Sequence, residues 1–190
     1  VLELGCGTGY FTKELAETKA KIMAIDISPS LLKEAERTVK RANVKFILDN
    51  AYQMTFGDAT FDAVIGSSVL HHLNVGKAIE EIFRVLKPGG IIAFTEPNMM
   101  NPQIALQKNI PYIKKKMGDS PDETAFFRWV IGKKLQQKGF EKVNVQPFDF
   151  LHPAVPEKII NTISRVGRLA EKTPLIREIA GSLYITAQKP

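Results

Sequence analysis

The opening of this chain, Val1-Leu2-Glu3-Leu4-Gly5-Cys6-Gly7-Thr8-Gly9-Tyr10, constrains it more than any other stretch. An apolar segment of strand character breaks into three glycines at alternate positions, and a helical pattern follows from Thr12. Glycine lets the backbone take positive φ and lets a ligand come close to the main chain. The helix start that follows leaves unpaired N–H groups facing the turn. A strand, a glycine-rich turn and a helix in that order suit a nucleotide-like or carboxylate-bearing ligand. A dinucleotide-binding turn reads G-x-G-x-x-G. Its third glycine position is Tyr10 in this chain. An NAD-dependent oxidoreductase therefore fits the pattern of elements but not this turn.

The rest of the first half repeats the alternation. Val1 to Leu4 is the first strand, and Phe11, Leu15 and Ala16 fall on one face of the helix after it. Lys21 to Asp26 is a strand ending in an acid, and Ser28-Pro29 starts a helix with the apolar stripe Leu31, Leu32, Ala35 and Val39, ending near Ala42-Asn43. Val44 to Leu48, Phe61 to Gly66 and Ile91 to Thr95 are further strands; a helix marked by Ile79, Ile82, Phe83 and Leu86 stops at Lys87-Pro88-Gly89-Gly90. Continuous apolar strands alternating with helices predict a parallel sheet covered on both faces. Ligands sit beyond the C-terminal ends of such strands. Gly5 to Gly9, Asp26, Asp49, Ser67 and Glu96 all fall at that edge.

The second half is less regular. An insert at 98–118 is apolar, basic and broken by Pro102 and Pro111. Asp122 to Lys138 reads as a helix with Phe126, Val130 and Leu135 inward, and Glu141 to Gln146 as a strand. The helix at 156–172 is basic and amphipathic, with Ile159, Ile163, Val166 and Ala170 spaced for one face and Lys158, Arg165, Arg168 and Lys172 off it. Ser182 to Gln188 is the last strand. The pattern predicts an α/β, Rossmann-like, doubly wound sheet of seven mostly parallel strands, the last antiparallel, with a helical insert after strand five.

At 190 residues the chain is expected to be a single domain, 1–96 forming a cofactor-binding half and 97–190 a substrate-facing half. It opens inside a strand with no initiator Met, so its N-terminus is expected to be truncated. No apolar run reaches membrane-spanning length. The single cysteine, Cys6, cannot form an internal disulfide, which favours a reducing compartment and a cytoplasmic location. The net charge of +6 is uneven: residues 1–96 carry 11 Lys and Arg against 12 Asp and Glu, and residues 97–190 carry 15 against 8. The basic excess belongs to the second half, where it reads as solvated surface or as attraction for anionic partners.

Glu3-x-Gly5-x-Gly7-x-Gly9, then Asp26, then Asp49-Asn50-Ala51 resembles the motif order of the class I S-adenosylmethionine-dependent methyltransferases. Phe61-Asp62-Ala63-Val64-Ile65, Leu70-His71-His72-Leu73 and Arg84-Val85-Leu86-Lys87-Pro88-Gly89-Gly90 extend the resemblance over about residues 1–96 and the closing strands, and it is closest to the small-molecule group that includes the quinone-biosynthesis C-methyltransferases. The resemblance implies S-adenosylmethionine as cofactor and S-adenosylhomocysteine as product. It implies cofactor contacts from Gly5, Cys6, Gly7 and Gly9, with Glu3 acting indirectly, fixing the glycine turn or receiving the amino group through water. Asp26 would accept from the ribose hydroxyls, Ile27 would pack on the adenine, Asp49, Asn50 and Ala51 would meet its edge, and the Ser67 carbonyl would meet the amino group. The ligand carries no phosphate, so the turn needs no Lys, unlike a phosphate-binding loop.

Methyl transfer from a sulfonium has an activated leaving group, so the protein positions the acceptor and removes its proton. His72, His71 and Glu96 are the candidates for that proton; helix capping and packing are the alternative for the His pair. With three His and one Cys, no set has metal-ligand spacing, and no metal is expected. The expected acceptor is a small molecule with an apolar body, because Met99, Met100, Ile104, Tyr112 and Ile113 crowd the insert. The competing reading is a cofactor-binding protein that acts on or binds RNA or a membrane lipid through its basic half. Glu96-Pro97-Asn98-Met99 is not the Asn/Asp-Pro-Pro-Tyr tetrapeptide of amino-methylating nucleic-acid enzymes. No stable protein partner is indicated.

Overall fold

The computed structural model describes residues 1–120, 123–151 and 155–190. Seven strands form one sheet in the order β3-β2-β1-β4-β5-β7-β6. They are β1 (Leu2–Leu4), β2 (Ile22–Asp26), β3 (Val44–Leu48), β4 (Phe61–Ser67), β5 (Leu86–Pro97), β6 (Glu141–Phe148) and β7 (Ser182–Gln188). The first five pair in parallel, and β7 runs antiparallel to both β5 and β6. The expected architecture is the one found.

Both faces of the sheet are covered. Along β2, Ile25 and Met23 join one apolar cluster and Ile22 and Ala24 the other, as a period of two demands. The smaller cluster gathers under α1 (Tyr10–Ala16) and α2 (Pro29–Thr38); the larger lies under α3 (Val75–Val85) and α6 (Arg128–Lys138). The chain leaves β1 for β2 and β3 on one side, then returns to place β4 on the other. The C-terminal ends of β1 and β4 therefore flank the switch point where such sheets bind ligands.

Several sequence expectations shift locally. In α1 the buried residues are Thr12 and Ala16, whereas Phe11 is only half-buried, because the helix starts at Tyr10 and turns Thr12 to the sheet. Ser28 caps α2 with Pro29 at its first position, but the helix ends at Thr38, and Val39 is already extended. α3 ends at Val85; residues Lys87 to Gly90 bulge from the ladder between the pairs Phe61–Leu86 and Ala63–Ile91, with Gly89 at φ +79°. The helix expected from Asp122 begins only at Arg128, and Asp122 itself lies outside the described residues. Phe126 instead bridges Asn98 alongside β5, and Ile131 takes the core place expected of Val130.

The insert after β5 is helical, as expected: α4 (Pro102–Asn109) and α5 (Pro111–Lys116). Between β6 and β7 lie a 3-10 turn (Glu157–Ile159), α7 (Ile160–Glu171) and α8 (Pro174–Arg177). No helix among the described residues is long and apolar enough to cross a membrane.

Candidate active site

All three turn glycines take the left-handed conformation, Gly5 at φ +67°, Gly7 at +53° and Gly9 at +82°. Each is needed for a different reason. A Cβ at Gly5 would lie 2.3 Å from Val69 Cγ2, and one at Gly9 would lie 2.9 Å from Val39 Cγ2; Gly7 faces open space. The turn is braced from β2: Gly7 N and Ser28 N donate to the two oxygens of Asp26, each at 2.9 Å. Asp26 thus joins the ends of β1 and β2, and its remaining lone pairs stay available at the rim.

Beneath the turn, Glu3 is 1% exposed, and its Oε2 has no hydrogen-bond partner among the described residues. Burial pushes its carboxyl up to about 7, with the Thr12 hydroxyl acting the other way. Thr12 Oγ1 is itself buried and without hydrogen-bond geometry to any partner among the described residues, so that influence is weak. Burial also pushes the Cys6 thiol up to about 12, which makes it an inert part of the turn.

A cavity of about 330 Å³ opens at the switch point. Gly5, Asp26 and Ile27 line one side, Asp49, Asn50 and Ala51 another, and Ser68, Val69 and His72 a third. Ile27 and Leu31, 69% and 39% exposed, present apolar surface to it. Asp49 shapes its own loop: it accepts from Asn50 N, Thr55 N and Thr55 Oγ1 at 2.8–3.0 Å. Among the described residues, no Lys or Arg lines the cavity. Ser68, at φ +54°, lines it, and the hydroxyl of Ser67 turns to Thr95 at 2.9 Å. Leu31, Tyr52 and Leu73 are further lining residues that were not among the expected cofactor contacts.

A second cavity, of about 320 Å³, adjoins the first and shares Ser68 and His72 with it. Glu96 lies behind its wall rather than in it. The Glu96 carboxylate is buried and accepts from the backbone N–H groups of Val69, Leu70 and His71, and it bonds His71 Nδ1 at 2.7 Å. These four bonds give Glu96 the task of fixing the 3-10 turn (Leu70–His72), not that of a free base. His71 is buried, with Nε2 3.6 Å from Glu123.

His72 is half exposed, and its Nδ1 stands 3.3 Å from Glu123 Oε2. Burial first, then the neighbouring His71, lowers its pKa below the ordinary imidazole value, and Glu123 and Glu96 oppose this. His72 is therefore neutral at neutral pH and able to accept a proton.

The insert supplies the remaining wall. Lys108, with only 6% of its side chain exposed, bonds Asp119 at 2.8 Å and Glu123 at 2.5 Å. Burial alone would lower the Lys108 pKa, but its two carboxylate partners outweigh burial and raise it. Burial would raise both carboxyls, but Lys108 brings each below its ordinary value. Sequence reasoning missed this trio, because nothing in residue spacing tells that α4 and the segment after α5 meet the His pair. The fold brings His71, His72 and Glu123 within 4.8 Å of one another, a grouping that spacing along the chain did not anticipate. The Lys108 ammonium already supplies positive charge to it. Of the apolar cover expected from the insert, Ile104 lines this cavity and Tyr112 is 76% exposed; most of the other lining residues are polar.

Comparison with known proteins places this chain in a family. Residues 2–94 match the family model described as Methyltransferase domain. An uncharacterized methyltransferase of Synechocystis sp. is 32% identical over 148 residues, 75% of this chain and 67% of that protein. The chain belongs to the S-adenosylmethionine-dependent methyltransferases of class I. The demethylmenaquinone methyltransferase of Paenarthrobacter aurescens is 32% identical over 132 residues, 64% of this chain and 51% of that one. A SAM-dependent methyltransferase structure from Thermotoga maritima shares the fold, with a TM-score of 0.73 at 20% identity, covering 100% of this chain and 81% of the other. The chain spans about half the length of the first curated relatives it matches.

Proposed function

We propose that this chain transfers a methyl group from S-adenosylmethionine to a small molecule bearing a dissociable proton. The observation that carries this reading is the pair of adjoining cavities that share Ser68 and His72. The first suits the cofactor. Asp26 would take the ribose, Ile27 and Leu31 would flank the adenine, and Asp49 to Ala51 would meet its edge. Glu3, unpartnered beneath the glycines, would favour the cationic amino-acid end. With two carboxylates and no Lys or Arg among the described residues, the lining suits a sulfonium better than a pyrophosphate. Bound there, S-adenosylmethionine supplies a methyl group on an already activated leaving group.

The chain's own residues do the rest. The second cavity takes a compact acceptor, and its size and polar wall favour a small molecule with a hydrogen-bonding head over a polymer. Neutral His72 receives the acceptor's proton on Nε2, while Glu123 holds Nδ1 and steadies the imidazolium that forms. His71, fixed by Glu96, backs it with ring centroids 4.0 Å apart. The test is release of S-adenosylhomocysteine from methyl-labelled S-adenosylmethionine with a panel of small phenols, enols and amines. His72→Ala is expected to slow turnover about a hundredfold at saturating S-adenosylmethionine. Wild-type turnover in that variant would return His72 to a packing role.

A further inference from the structure

α7 presents two different faces. Ile163, Ser164, Gly167 and Glu171 line a crevice against the segment after β6, and the Glu171 carboxylate accepts from Asp149 N at 2.9 Å. Gly167 is buried there, so close to the facing segment that an added Cβ would meet Phe150 Cβ at 3.3 Å. These contacts fix which side of α7 is outward. The apolar spacing seen in the sequence does not all turn inward: Ile159 is 46%, Val166 59% and Leu169 66% exposed. At about 100° per residue Val166 and Leu169 lie within about 60° of arc on α7, and Ile159 ends the 3-10 turn before it. Lys158, Arg165 and Lys172 recur every seven residues on the adjacent strip, and none forms an ion pair among the described residues. In and just after α8, Leu175 is 86%, Ile176 47% and Ile179 41% exposed.

This surface is joined to the active rim. Asn98, just beyond β5, holds the carbonyls of Glu178 and Ala180 at 2.9 and 2.8 Å, and Gly181 and Ser182 line the second cavity. We propose that the outward face of α7 and α8 seats on an anionic phospholipid surface, beside the mouth of the acceptor cavity. An aliphatic stripe bordered by Lys and Arg is the composition of helices that lie in a bilayer interface. Its basic border matches anionic headgroups, and the whole second half carries 15 Lys and Arg against 8 Asp and Glu. Single-stranded nucleic acid would call for aromatic platforms, and this stripe is aliphatic. The inference does not depend on the methyl-transfer reading.

The test is co-sedimentation of the 190-residue chain with phosphatidylcholine vesicles, with and without phosphatidylglycerol. The wild type is expected to partition onto the phosphatidylglycerol vesicles and to be released by salt. Leu169→Glu with Leu175→Glu, and separately Arg165→Gln with Lys172→Gln, are each expected to weaken partition by about tenfold or more. Far-UV circular dichroism should be the same in all variants, which shows that they fold and keeps this test independent of the cofactor reading. The proposal is overturned if the wild type ignores both vesicles, or if the variants partition as it does. It is equally overturned if the chain binds a single-stranded oligonucleotide but no vesicle, or if the face proves to join two copies of the chain and no lipid.

Discussion

Glu3 offers a quantitative test of how the glycine turn is built. The carboxyl is buried under the turn with one oxygen unpartnered among the described residues, and burial raises it from 4.5 to about 7. The folded protein therefore holds this proton more tightly than the unfolded chain does. Stability is full below pH 4.5 and falls as pH rises towards 7, because ionising Glu3 in place costs more than ionising it in water. The interval corresponds to about 3 kcal/mol. Removing the charge while keeping the shape, with Glu3→Gln, is expected to abolish this fall. The assay is urea unfolding of wild type and variant in steps from pH 4.5 to 8, taking the difference at each pH. That difference isolates Glu3 from His72, whose lowered pKa makes stability rise with pH below 6.5. Parallel pH profiles for the two proteins would refute the argument and show that Glu3 is solvated or partnered.

Two further outcomes follow from contacts at the same rim. Gly5→Ala combines a left-handed backbone with a 2.3 Å approach to Val69, whereas Gly7→Ala carries the backbone strain alone. Denaturant unfolding should show about 1–2 kcal/mol lost at Gly7 and about 2–4 kcal/mol at Gly5; equal losses would dismiss the steric account. Lys108→Met strands Asp119 and Glu123 without their shared cation, so a loss of about 3 kcal/mol is expected near pH 7. Part of it should return below pH 5 as the carboxyls protonate, and a pH-independent loss would contradict the pairing.

The first half of the fold, residues 1–96, was legible because it is local. Apolar strands, the Gly5-x-Gly7-x-Gly9 turn and the acids at Asp26 and Asp49 are set by short-range spacing, and spacing alone places them at one sheet edge. Even there, spacing did not mark every lining residue: Ser68, at φ +54° just beyond β4, lines the cavity as well. Glu96 was legible as an acid at the rim but not as the acceptor of four hydrogen bonds, since its partners in the Val69–His71 turn lie 25 or more residues away. The polar side of the second cavity was not legible at all. Lys108, Asp119 and Glu123 reach the His pair only through the packing of the insert, and no periodicity encodes that. The outward turn of Val166 and Leu169 had the same origin: amphipathic spacing gives a stripe, while tertiary contacts at Gly167 and Glu171 decide which way it faces.

The central claim is that the carboxylate ending β2 and the glycines ending β1 together hold the adenosyl cofactor. Calorimetric titration of wild type and Asp26→Ala with S-adenosylhomocysteine tests it most directly. Asp26 also braces Gly7 N at 2.9 Å, so the variant loses both a ribose acceptor and part of the turn. Affinity is expected to fall about a hundredfold or more, with the circular dichroism of a folded chain retained. Undiminished affinity in Asp26→Ala would contradict the claim.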